Sequence, residues 1–79
     1  MALRGTITGP ESLGRILQQA RLLNGWSQRE LAARIGTTQR YIWEIESGKP
    51  SIYTERLFAV LRETGTQLSA TIEPRAVDE

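Results

Sequence analysis

The sequence predicts an all-α domain of four short helices with one β-strand appended near its C-terminal end. Two observations carry the helices. Apolar residues recur at three- and four-residue spacing in blocks, and glycine closes the blocks at Gly25, Gly36, Gly48 and Gly65. Serine or threonine stands where later blocks begin, at Ser27, Thr38 and Ser51. A third observation sets the end apart: from Leu68 to Ile72 apolar and polar residues alternate, the period of a strand.

Taken in order, residues 1–9 form an N-terminal arm whose β-branched alternation around Leu3–Thr8 suits an edge strand or a loose segment. Pro10 fits the first turn of a helix. Leu13, Ile16, Leu17, Ala20 and Leu23 then form one apolar stripe, which Asn24-Gly25 ends. The second helix opens with a capping box, Ser27 with Glu30, and Trp26 before the cap faces Leu31 one turn inside. Leu31, Ala32 and Ile35 repeat at helical spacing up to Gly36. Thr38 caps a third helix that stops before Gly48. On it, Tyr41, Ile42 and Ile45 form the expected core face, and Gln39, Arg40, Trp43, Glu44 and Ser47 the opposite one. A fourth helix begins near Ser51–Thr54 and offers Leu57, Val60, Leu61 and Phe58 to the core. The divisions are therefore an arm at 1–9, a helical domain at 10–65, a strand at 66–73 and, beyond Pro74, a flexible polar tail at 74–79.

An isolated strand needs an edge to pair with. The candidates are the segment near Leu3–Thr8 or the same strand in a second copy. Pairing of Leu68, Ala70 and Ile72 across a two-fold is preferred, because a chain of 79 residues buries only a modest core and a dimer enlarges it.

Composition narrows the chemistry. The chain has no cysteine and no histidine, which removes disulfides, thiolate nucleophiles, the commonest zinc ligands and the usual general base. No cofactor, metal site or enzymatic activity is expected. The net charge of +1 is uneven: seven Lys/Arg against four Asp/Glu in residues 1–49, three against five in 50–79. A basic front half suits a polyanion. No apolar run or leader pattern suggests a membrane span or secretion, so a cytoplasmic protein is expected.

Helix, glycine turn and helix over Ser27–Gly48 is the helix-turn-helix pattern, whose second helix enters the DNA major groove. Gln39 and Arg40 in its first turn are amide and guanidinium forks of the kind that read adenine and guanine edges. Glu44 can accept from a cytosine amino group or orient Arg40; Trp43 can meet thymine methyls, sugar or a protein. Gln28, Thr37, Thr38 and Lys49, with Arg15 and Arg29 as further candidates, offer donors to phosphates. Arg21 and Glu46 suit a structural ion pair between the first and third helices.

With these residues placed, the chain resembles the lambda-repressor/Cro (XRE-type) regulators over about Leu13–Gly65. The motif stands as Ala20-Arg21, Trp26 to Ala32, Gly36 to Gln39, Ile42, and Ile45 to Lys49. The resemblance implies a lambda-repressor-like domain of four to five helices that binds palindromic double-stranded operators as a homodimer. It supports phosphate contacts at Gln28 and Lys49, base contacts at Gln39, Arg40 and Glu44, and the Arg21–Glu46 pair. Trp43 departs from it. Asn24 to Gln28, and a fourth helix followed directly by Leu68–Ile72, look like HipB-type antitoxins. That subgroup implies strand pairing across the dimer and a HipA-like serine/threonine kinase toxin as partner. The alternatives are a phage-type repressor without a toxin and a protein-interaction module.

Overall fold

The computed structural model describes residues 3–73. The elements run β1 (Leu3–Ile7), α1 (Pro10–Leu23), α2 (Gln28–Ile35), α3 (Gln39–Ser47), α4 (Ile52–Glu63) and β2 (Leu68–Ile72). The anticipated tail at 74–79 lies outside the described residues.

Local chemistry starts and stops each helix. At α1, the Ser12 hydroxyl accepts from the Thr8 and Gly9 amides at 2.8 and 3.2 Å. At α2 the capping box closes both ways: Ser27 Oγ accepts from the Glu30 amide at 3.0 Å and Glu30 Oε1 accepts from the Ser27 amide at 2.7 Å. This holds the Glu30 carboxyl below the usual carboxylate range. Thr38 Oγ1 caps α3 by accepting from the Tyr41 amide at 3.1 Å. Gly36 ends α2 at φ +75° and Gly48 ends α3 at φ +74°, the left-handed region that side chains disfavour.

The molecule is not all-α. β1 and β2 pair antiparallel, Leu3 opposite Ile72 through to Ile7 opposite Leu68, so the N-terminal arm is largely strand. The preferred pairing of Leu68, Ala70 and Ile72 with a second copy is therefore corrected for this edge: β2 takes its partner from its own chain. The physical reason is proximity. Only two residues separate β1 from α1, and the sheet packs on α1, which brings the two ends of the chain together. Gly5 opposite Ala70 makes the inner face thin there, and a side chain at Gly5 would begin 2.8 Å from Ile16 Cδ1.

The helix-turn-helix core is α3 packed between α1 and α2. At the α1–α3 crossing, a Cβ on Gly14 would lie 2.5 Å from the Ile45 carbonyl oxygen, so the two backbones meet there directly. Among the described residues the buried hydrophobics are Ile7, Ala32, Ile42 and Phe58. Several expected core positions are corrected. Leu17, Leu23, Ile35, Tyr41, Leu57 and Val60 are exposed, and Phe58 rather than Leu57 or Val60 is the buried residue of α4. α4 is apolar on two sides, and only the side with Phe58 is turned inward. No helix among the described residues is long and apolar enough to cross a membrane.

Candidate nucleic-acid interface

The site is built on α3, which carries two carboxylates with opposite tasks. Glu46 points inward. Its Oε2 accepts from Arg21 Nε at 2.6 Å and its Oε1 from Arg21 Nη2 at 2.9 Å, with both residues buried. Arg21 Nη1 donates onward to the Trp26 carbonyl at 2.8 Å. The forked pair ties α1 to α3 and to the turn before α2, as the sequence anticipates for Arg21 and Glu46. Hydrogen bonding from Arg21, against the opposing effect of burial, holds the Glu46 carboxyl below the usual carboxylate range; Gln28 adds to this. The same bond raises the Arg21 pKa.

Gln28 links this anchor to the outer face. Its Nε2 donates to Glu46 Oε1 at 3.0 Å, and its Oε1 accepts from Gln39 Nε2 at 3.5 Å. Gln39, at the first position of α3, is thus oriented from behind by a chain that ends in a buried ion pair. The sequence offers Gln28 as a phosphate contact; in the structure its side chain also touches Gln39. The signal was a glutamine at each helix start, but their meeting depends on the turn geometry.

Glu44 faces out. Its Oε2 accepts from Lys49 Nζ at 3.0 Å and from Arg40 Nε at 3.4 Å, so one oxygen holds both cations on the outer rim. Hydrogen bonding from Lys49 first, then from Arg40, lowers the Glu44 pKa. The Arg40 side chain remains 83% exposed and its fork stays open to other acceptors. Trp43 beside them is 56% exposed, a large apolar group on a polar face.

The remaining predicted contacts divide. Thr38 is exposed with its hydroxyl accepting as the cap, which leaves the O–H to donate. Thr37 is half-buried, and its amide donates to the Ala32 carbonyl at 2.9 Å, so its side chain is what it can offer a phosphate. Arg29 is exposed on α2. Arg15 lies apart, in a recess between α1 and the sheet that Arg4 also lines and to which α2 and α3 contribute nothing. Among the described residues no cluster of His, Cys, Asp or Glu is arranged to hold a metal ion.

One feature of this region escaped sequence reading. Arg34 stacks its guanidinium 4.1 Å from the centre of the Trp26 ring, which covers the staple residue before α2. Arg and Trp eight residues apart across a cap carry no local pattern that announces the contact.

No curated protein and no solved structure matches the chain significantly. A family model does match, the helix-turn-helix model, over residues 17–70. That span contains Arg21–Glu46, the Gln28–Gln39 link and the Arg40–Glu44–Lys49 cluster. The chain belongs to the helix-turn-helix family, the XRE-type DNA-binding regulators.

Proposed function

We propose that the protein is a sequence-specific transcriptional repressor of the cytoplasm that binds a palindromic operator as a homodimer. The observation that carries this reading is the pair of clusters on α3: Gln39 oriented through Gln28 from the buried Arg21–Glu46 pair, and Arg40 with Lys49 held at the rim by Glu44. Gln39 and Arg40 read base edges beside Trp43, and Glu44, which the sequence offers as base acceptor or orienter, orients Arg40. Gln28, Thr37, Thr38, Lys49 and Arg29 meet phosphates, and Arg15, in the recess between α1 and the sheet, is a further candidate. Pre-setting an amide donor lowers the entropy lost on docking. Two recognition helices about 34 Å apart fit successive major grooves, and occupancy of a promoter then blocks transcription sterically.

We further infer that the chain is the antitoxin of a type II, HipBA-like pair, with a HipA-like kinase toxin as partner. What supports this is the run from α4 straight into the strand Leu68–Ile72, as in the HipB-type antitoxins that the sequence resembles.

The test is selection of duplexes from a random pool with the full chain, followed by a salt titration on the selected sequence. A pseudo-palindromic site and affinity that falls steeply with salt are expected, because counterions leave the phosphates. A shallow salt response with no enriched duplex refutes DNA reading. Co-purification of the untagged chain from its native host tests the antitoxin reading: a stoichiometric kinase is expected, and its absence refutes the toxin partnership.

A further inference from the structure

We propose that the recess between α1 and the two-stranded sheet is a binding site for a small amphipathic anion, a carboxylate with a short apolar body. α2 and α3 contribute nothing to its walls, so the site stands or falls apart from the DNA reading.

Small residues make the space. Gly5 and Ala70 face each other across the strands, the slightest pair on the inner side of the sheet. Over them α1 presents Ser12, Arg15, Ile16 and Gln19, a stripe at i, i+3, i+4 and i+7. Ile16 reaches so close that its Cδ1 would lie 2.8 Å from a Cβ on Gly5. A recess of about 290 Å³ remains beside this contact. Ligand pockets begin near 300 Å³, so the space suits one ring or a short chain. Leu3, Ile16 and Ile72 give it an apolar floor, and all three are only half-buried. Arg15 from α1 and Arg4 from β1 add two positive charges, and no acidic residue among the described ones lines the recess. Both arginines are exposed, and neither has a hydrogen-bond or ion-pair partner among the described residues. The Gln19 amide is likewise unengaged there, whereas the Ser12 hydroxyl is spent on the α1 cap.

The occupant follows from charge and floor together. Two guanidiniums with no carboxylate beside them call for an anion, and a carboxylate matches the guanidinium fork two-pronged. An inorganic ion or a DNA phosphate satisfies the charges but leaves Leu3, Ile16 and Ile72 uncovered. A neutral apolar molecule covers that floor but leaves both cations unused. An amphipathic carboxylate uses both: its head lies between Arg4 and Arg15, and its body covers the floor against α1 and the sheet. Burying the body removes apolar surface from water, the larger part of the binding energy for so small a molecule. Because the recess is walled by a strand on one side and a helix on the other, its occupant also ties the sheet to α1.

The experiment is a two-dimensional NMR titration of the full chain, without DNA and at constant ionic strength, with three probes: hexanoate, acetate and hexylammonium. Acetate keeps the head without the body, and hexylammonium keeps the body with the opposite charge. Hexanoate is expected to saturate, with its largest shifts at Gly5, Ile16 and Ile72. Full burial of one methylene strengthens binding about fourfold. Hexanoate carries several more than acetate, so it is expected to bind at least tenfold tighter even in a recess open to solvent. Hexylammonium is expected not to bind. The double variant Arg4→Gln with Arg15→Gln is expected to weaken hexanoate at least tenfold, since bonds to a charged group are worth about that much. Both positions are exposed, so the helical circular dichroism is retained, and the three wild-type titrations decide the matter without the variant. Equal affinity for acetate and hexanoate, binding of hexylammonium at the same residues, shifts centred outside this recess, or an unaltered double variant each overturns the proposal.

Discussion

The inner and outer faces of α3 are held by the same chemistry with different consequences. Two residues apart, Glu46 and Glu44 each accept from two side chains, yet one is buried and the other lies at the rim. The inner carboxylate faces a guanidinium that has no water to fall back on, so its pair is structural. The outer carboxylate holds cations that solvent or phosphate can take over, so its pair is exchangeable. Burial, rather than bond count, separates architecture from recognition on this helix.

Breaking the inner face has the largest expected effect. Glu46→Ala strands Arg21 in the core, and loss of one partner of a buried pair costs about 3–5 kcal/mol. For a chain of this size that is a large part of the stability, which is about 4–12 kcal/mol. Urea denaturation is the measurement, and a loss well below 1 kcal/mol refutes the structural role. Acid sharpens the same point. The folded Glu46 pKa lies below its unfolded value, so its contribution is fully present above about pH 4.3. It is lost as pH falls from there through the lower folded value, because the unfolded state takes the proton first. Glu46→Gln is expected to flatten stability against pH in that window; an unchanged acid profile contradicts the assignment.

The α1–α3 crossing comes next. Gly14→Ala gains about 1 kcal/mol of helix propensity. It also forces a methyl to within 2.6 Å of two carbonyl oxygens of α3, Ile45 and Glu46, and backbone cannot step aside as a side chain can. Overpacking of this kind costs about 1–3 kcal/mol or more. A lowered melting temperature is expected; a raised one means that the helices do not meet at Gly14.

How much of this the sequence discloses depends on the reach of each signal. Ser27 with Glu30, Gly36, Thr38 and Gly48 act within four residues, and each is legible from its neighbours. The Arg21–Glu46 pair spans 25 residues and is legible because a charge on an apolar face demands a partner. Gly14 carries a local signal of its own, an interior glycine in a helical pattern, but not what it packs against. Tyr41 is exposed against the expected core face because it borders the apolar stripe of a nine-residue helix, where one residue's rotation changes its side. α4 misled for a different reason: it is apolar on two faces, and periodicity does not say that Phe58 faces in while Leu57 and Val60 face out. The alternation at Leu68–Ile72 reveals a strand with an inner side but is silent on whose edge it joins.

On the outer face, Arg40→Ala is expected to remove about 1–3 kcal/mol of discrimination at one base pair of the selected site. Lys49→Ala should weaken all duplexes alike and lower the salt slope by about one. A uniform loss for Arg40→Ala refutes base reading by that residue.

The smallest change is the most informative about the comparison. Glu44→Gln keeps the size of the side chain and removes the charge that holds Arg40 and Lys49. Fold stability should hardly move, because the residue lies at the rim. If Glu44 acts as an orienter, the two released cations and the missing anion raise affinity for unrelated duplexes severalfold while the preferred sequence stands out less. If instead Glu44 accepts from a cytosine amino group, affinity falls at that one base pair and elsewhere stays level. Competition binding with single-base variants of the selected duplex reads both patterns. The orienting pattern is expected, since its single Oε2 already accepts from both cations and, among the described residues, Arg40 has no other side-chain partner to fix its fork. Loss confined to one base pair would move Glu44 from the frame of the reading surface to the surface itself.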